Sequence, residues 1–200
     1  VTLRNSTLNV PNGFGIYFPS SGTLTIDNST INAKTMGVQV CAGSLSINEG
    51  SAVTVTGDAV PKAENDGAIQ DGAAISIVNR TGYKGLVNVT ITGGTFSSLK
   101  AYKWENKTES AFDNKAKTIQ ISGGTFSSAV PEAYCAEGYV PVKNSDGTYG
   151  VKAGKYVASI GDTKYETLAE AIAAAKDGET VTLIADVDLT ETLIIKDKTI

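Results

Sequence analysis

Ile91-Thr92-Gly93-Gly94-Thr95-Phe96-Ser97-Ser98 returns as Ile121-Ser122-Gly123-Gly124-Thr125-Phe126-Ser127-Ser128, seven identities in eight at an offset of 30 residues. A block that recurs at fixed spacing is the mark of a repeat architecture and decides how the rest of the chain is read. Upstream the copies are shorter. Gly22-Thr23-Leu24-Thr25-Ile26 recurs as Gly43-Ser44-Leu45-Ser46-Ile47 at 21 residues, and Asn5-Ser6-Thr7-Leu8-Asn9 as Asn28-Ser29-Thr30-Ile31-Asn32 at 23. Gly15-Ile16-Tyr17-Phe18 answers Gly37-Val38-Gln39-Val40 at 22.

Inside these blocks the apolar residues alternate, as in Leu24-x-Ile26, Leu45-x-Ile47, Val53-x-Val55, Ile75-x-Ile77, Val87-x-Val89-x-Ile91 and Ile119-x-Ile121. Period two is the strand signal, and Asn, Gly and Ser between the runs supply turns. Short strands recurring every 21 to 23 residues predict an all-β solenoid, each coil adding one strand to successive parallel sheets. Like residues at like positions then stack one rung, about 4.8 Å, apart. Asn5 and Asn28 are candidates for such a ladder at a coil corner, with two ordinary turn asparagines as the alternative.

The alternation stops after Ser97, so 99–117 reads as an insertion between coils, bearing Tyr102, Trp104, Phe112 and the lysines Lys100, Lys103, Lys107, Lys115 and Lys117. Pro131 opens a candidate short helix. Residues 139–143 and 148–151 flank Asn144-Ser145-Asp146-Gly147 as a hairpin that closes the solenoid's edge. The first domain is therefore 1–152. In 153–200, strands at 157–160 and 163–165 flank Gly161-Asp162 as a second hairpin. A helix over 167–176 follows, with Thr167 and Glu170 as a capping box and Gly178 as its C-terminal cap, then strands at 181–184 and 193–195. That order reads as the start of a following module.

A net charge of -4, with only two arginines, excludes the clustered basic face that nucleic acid needs. With no histidine, the usual general base near neutral pH, the commonest zinc ligand and the Ser-His and Cys-His nucleophile pairs are all absent. No apolar run reaches the 18 residues that suggest a membrane span, and the start at Val1 reads as a processed or excised segment. Cys41 and Cys135 have no metal or redox spacing; two buried free thiols are expected, with one disulfide as the alternative.

Gly93-Gly94-Thr95-Phe96-Ser97-Ser98, Ala133-Tyr134-Cys135-Ala136-Glu137-Gly138-Tyr139, Asp146-Gly147-Thr148-Tyr149 and Tyr165-Glu166-Thr167-Leu168-Ala169-Glu170-Ala171-Ile172 together resemble right-handed parallel β-helix modules. Such modules occur in large secreted, adhesin-like surface proteins of Gram-positive gut bacteria and share the pectate-lyase-like architecture. The resemblance implies a secreted or cell-surface setting, a capping role for the 167–176 helix and a terminal role for the Asp146-Gly147 hairpin. It also implies coil ends with open strand edges, hence head-to-tail self-association as an expectation.

Function must rest on sites, since this architecture carries both enzymes and inert scaffolds. Asp58, Glu64, Asp66 and Asp71 form the best carboxylate cluster and the candidate calcium ligands, although Asp66-Gly67 and Asp71-Gly72 are also ordinary turn dipeptides. The motifs of polysaccharide hydrolases are absent, so no catalytic residue is assigned. Tyr102, Trp104 and Phe112 with Lys103 are the candidate ligand-binding group, aromatics for stacking on sugar rings and lysine for an anionic or acidic partner. Their alternative role is to cover the solenoid's flank. Five Asn-x-Ser/Thr sequons, at Asn5, Asn28, Asn79, Asn88 and Asn106, follow from Thr-rich composition. The expectation is a non-catalytic structural or adhesive module presenting loops to a glycan or host protein. A polysaccharide-active enzyme fragment and an inert spacer are the alternatives.

Overall fold

The computed structural model describes residues 1–60, 67–196 and 199. Strand occupies 44% of the chain and helix 5%, so the protein is predominantly β, with mostly parallel sheets. It divides into two units, Val1–Lys152 and Ala153–Ile200.

Consecutive strands of the first unit fall in three different sheets in rotation. The first sheet orders Thr2–Arg4, Thr23–Asp27, Gly43–Ile47, Leu86–Ile91 and Ile119–Ile121. The second stacks Thr7–Val10, Thr30–Ala33, Ala52–Val55, Thr95–Phe96 and Thr125–Phe126, all parallel, and is closed by antiparallel Tyr149–Ala153 and then Tyr139–Lys143. In the third lie Phe14–Phe18, Met36–Val40, Ile75–Arg80 and Leu99–Glu105, with Thr108–Ala111 antiparallel at the edge.

The register turns the sequence repeats into ladders. Leu3, Ile26, Ile47, Ile91 and Ile121 pair in succession in the first sheet, and Leu8, Ile31, Val53, Phe96 and Phe126 in the second. Ile16, Val38, Ile75 and Leu99 do the same in the third. All of these except the two end rungs' Leu3, Leu8, Ile16 and Leu99 are fully buried in one core. Each buried aliphatic side chain contributes roughly 1.5–3 kcal/mol, so the ladders are the main source of stability. Phe96 and Phe126 tilt at 33° with centroids 5.1 Å apart, which is why the GGTFSS block repeats: each ring rests on the next.

The corner ladder is also present. Asn5 and Asn28 both sit in the left-handed region, at φ 48° and 43°, and Asn28 Nδ2 donates to Asn5 Oδ1 at 2.8 Å. Asparagine tolerates that backbone because its short amide bonds locally. On the adjoining strands Asn32 donates to Asn9 in the same way, at 2.8 Å.

The insertion expected at 99–117 is narrower, because Leu99–Glu105 is a regular rung strand paired with Ile75–Arg80. Its alternation is masked because buried Tyr102 and half-buried Trp104 stand at outward positions, while Lys103 and Glu105 follow Leu99 and Ala101 on the other side. Glu105 and Thr108 flank Asn106 and Lys107, both at positive φ, the geometry of a two-residue hairpin. Both cysteines are buried thiols, and no disulfide joins them.

The second unit pairs Ala158–Ile160 with Thr163–Tyr165 and with Thr182–Leu183, all antiparallel, under a helix over Leu168–Ala174. The Thr167–Glu170 capping box is formed. The helix stops earlier than the sequence suggests: Ala175 caps it in extended backbone, and Gly178 takes its positive φ of 82° in the turn beyond. Residues 193–195 form no strand. Among the described residues no helix is long and apolar enough to cross a membrane.

Candidate functional site

On the first two sheets the outward side chains are small and polar, but the outer face of the third sheet is covered. Residues 67–74, on the chain between Ala52–Val55 and Ile75–Arg80, lie across it as a strap. Beneath them Cys41, Ile69, Val78 and Tyr102 form a second, smaller core, with Tyr17, Tyr83 and Trp104 packed around it.

Four of the strap's attachments involve the side chains of Gln39, Asp71, Lys100 and Arg80. Gln39, with no exposed surface, acts as a substitute strand: its Oε1 accepts from the Ile69 N–H and its Nε2 donates to the Ile69 carbonyl, both at 2.8 Å. Asp71 is the second anchor. Its Oδ1 accepts from the Ala73 N–H at 3.0 Å, and its Oδ2 from the Ser76 hydroxyl at 2.6 Å and the Tyr102 hydroxyl at 2.9 Å. Third, Lys100 Nζ donates to the Asp71 carbonyl at 2.6 Å. Finally Arg80 Nη1 donates to the Gly67 carbonyl at 2.8 Å and to Tyr17 at 3.3 Å, while its guanidinium lies 4.8 Å from the Tyr83 ring centre. The Tyr17 and Tyr83 hydroxyls share a 2.6 Å hydrogen bond.

Electrostatics follow from this burial. The Tyr102 phenol is pushed well above its ordinary range, first by desolvation and then by the neighbouring Asp71 charge. Tyr17 is raised by desolvation and then by its bond to Tyr83. Desolvation likewise pushes the Cys135 thiol up to about 11. On the open first sheet the direction reverses: hydrogen bonds from Arg4 and then Asn48 hold Asp27 below the usual carboxylate range.

The expected site residues therefore separate. Of the four carboxylates, Asp58 is exposed, Asp71 is buried with its oxygens taken by protein donors, and Glu64 and Asp66 lie outside the described residues. Among the described residues no group of three or more His, Cys, Asp and Glu is placed to hold a metal. Of the aromatics, Tyr102 is only 2% exposed, and Trp104 meets it edge-on at 6.4 Å. Phe112 packs against the main core, edge-on to Tyr134 at 6.3 Å. Lys103 pairs with Glu105. These aromatics cover the third sheet and its end, so they do not form an open stacking platform.

Sequence reading missed Gln39, Ser76, Tyr17 and Tyr83. A usable signal existed: outward positions carry Tyr17, Gln39, Val78 and Tyr102 on the third sheet, against Thr25, Ser46 and Thr90 on the first. Bulk at outward positions marks a face that something covers.

Three of the recesses among the described residues stand out. One of about 520 Å³ lies in the second unit beside Lys155, Glu166, Asp186 and Asp188; one of about 560 Å³ runs along the glycine corners Gly93-Gly94 and Gly123-Gly124. The third, about 310 Å³, opens between Leu99, Lys100, Glu109, Val130 and Tyr134. Comparison with family models, with curated proteins and with solved structures finds no match to this chain.

Proposed function

We propose that the chain is a non-catalytic structural and adhesive module, a right-handed parallel β-helix with the start of a second one, extending a secreted or cell-surface protein. The observation that carries this reading is the unbroken apolar ladder, Leu3 to Ile121, beside a strap that uses Asp71, Tyr102, Lys100 and Arg80 for attachment. A stack of rungs sets length and rigidity, and its interior contains no cleft chemistry. Adhesion falls to loops and strand edges. A polypeptide partner suits them better than a glycan, because Tyr102 is buried and Trp104 and Phe112, both half-buried, pack edge-on against Tyr102 and Tyr134.

The test is a binding screen of the purified chain on glycan and protein arrays, with a polysaccharide depolymerisation assay run with and without calcium. Binding without product release supports the proposal, and release of oligosaccharide overturns it. An inert spacer is the second reading, favoured by the same packing of the insertion aromatics; silence on every surface selects it.

A further inference from the structure

The third sheet ends one rung before the other two. After Thr125–Phe126 the chain forms no third-sheet strand. Val130, 3% exposed, drops into the core, and the turn Glu132–Tyr134 carries the chain to a parallel bridge between Cys135 and Ile121. Pro131 lacks an N–H, so it cannot donate to a neighbouring strand. Antiparallel Thr108–Ala111 covers the edge only from Tyr102 to Glu105. Among the described residues, 99–101 thus keep an edge without a strand, and the 310 Å³ recess lies along it.

The orientation of that edge follows from its bonds. The Ser98 carbonyl accepts from Ile75, and the Trp104 carbonyl from Thr81, so even-numbered residues face the Ile75–Arg80 strand. Backbone alternation turns the N–H and C=O of Leu99 and Ala101 toward the recess. Its walls are mixed: Lys100 and Glu109 oppose in sign, Leu99, Val130 and Tyr134 are apolar, and the small Ala101 leaves room above it.

We propose that this notch binds an extended segment of a partner polypeptide, which adds a short strand to residues 99–101 and places one small or medium apolar side chain over Ala101. Only a strand offers donors and acceptors in the alternation this edge presents, and a mixed wall matches a neutral backbone better than an anion or cation. The proposal rests on the adhesive reading and names the partner's chemistry.

The test uses the full chain and four acetylated, amidated heptapeptides, Thr-Thr-Thr-Xaa-Thr-Thr-Thr with Xaa Ala, Val, Leu or Tyr, at millimolar concentration. Amide hydrogen exchange is followed residue by residue. At least one peptide is expected to slow exchange at Leu99 and Ala101 by roughly tenfold, the scale of one retained hydrogen bond. Backbone N-methylation of that peptide abolishes the effect, and so does Ala101→Pro, which removes an outward N–H while leaving the other edge paired. Unchanged exchange with all four peptides, or equal binding of the N-methylated form, overturns the proposal. The same spectra test the module reading separately: fast exchange at Ile26 and Ile47, deep in the ladder, would sink that reading whatever the peptides do.

Discussion

Asn28 shows how one residue serves two purposes at a corner. Its positive φ turns the chain, and its amide ties two rungs together. Asn28→Gly keeps the backbone and loses the bond, whereas Asn28→Ala loses the bond and strains the turn. Urea unfolding is expected to show about 1 kcal/mol lost for glycine and about 2 kcal/mol for alanine; an alanine variant as stable as the glycine variant contradicts this account. Cys135 gives the pH dependence. Burial raises its folded pKa from the ordinary 9.0 to about 11, so the folded state holds the proton more tightly. That contribution is complete below about 9 and declines as pH rises through 11. Tyr102, Tyr17 and Tyr134, also raised, add to the same alkaline loss. Cys135→Ala should flatten part of the slope in unfolding measured between those pH values, and an unchanged slope counts against it.

The strap is the element that the sequence left hidden. Asp71→Ala leaves the Ser76 and Tyr102 hydroxyls and the Ala73 N–H without their buried acceptor, so a loss of about 3 kcal/mol in urea unfolding is expected. Asp71→Asn keeps an acceptor and costs less. A neutral Asp71→Ala result would mean that the Gln39, Lys100 and Arg80 attachments hold the strap without the Asp71 carboxylate. The rung strands were legible because their inward side chains alternate with Thr, Ser and Asn, the pattern of a sheet with one wet face. Leu99–Glu105 escaped because its outward positions carry Tyr102 and Trp104, packed in the second core, which breaks the alternation of apolar and polar residues. The candidate calcium and stacking residues were chosen from residue type, and type does not report burial: Asp71 and Tyr102 bond to each other. Gln39 carries no motif, and only the fold brings it to Ile69, 30 positions away.

Over the whole molecule the two ends of the stack differ. At one the second sheet is closed by antiparallel Tyr149–Ala153, while at the other Thr2–Arg4, Thr7–Val10 and Phe14–Phe18 each have one free edge among the described strands. Association of two chains through these free edges is therefore expected, visible as concentration-dependent sedimentation and reduced by Thr7→Lys, since an edge lysine discourages pairing. A single species at all concentrations argues against it. The rung-to-rung hydrogen bonds also run along the stacking direction, so pulling on that axis loads them one rung at a time instead of shearing many together. Under tension the first unit should yield at modest force in a staircase. Each early step would release the 21 to 23 residues of one repeat, roughly 75 Å of extended chain, so the stack would lengthen as an extensible tether before its last rung parts.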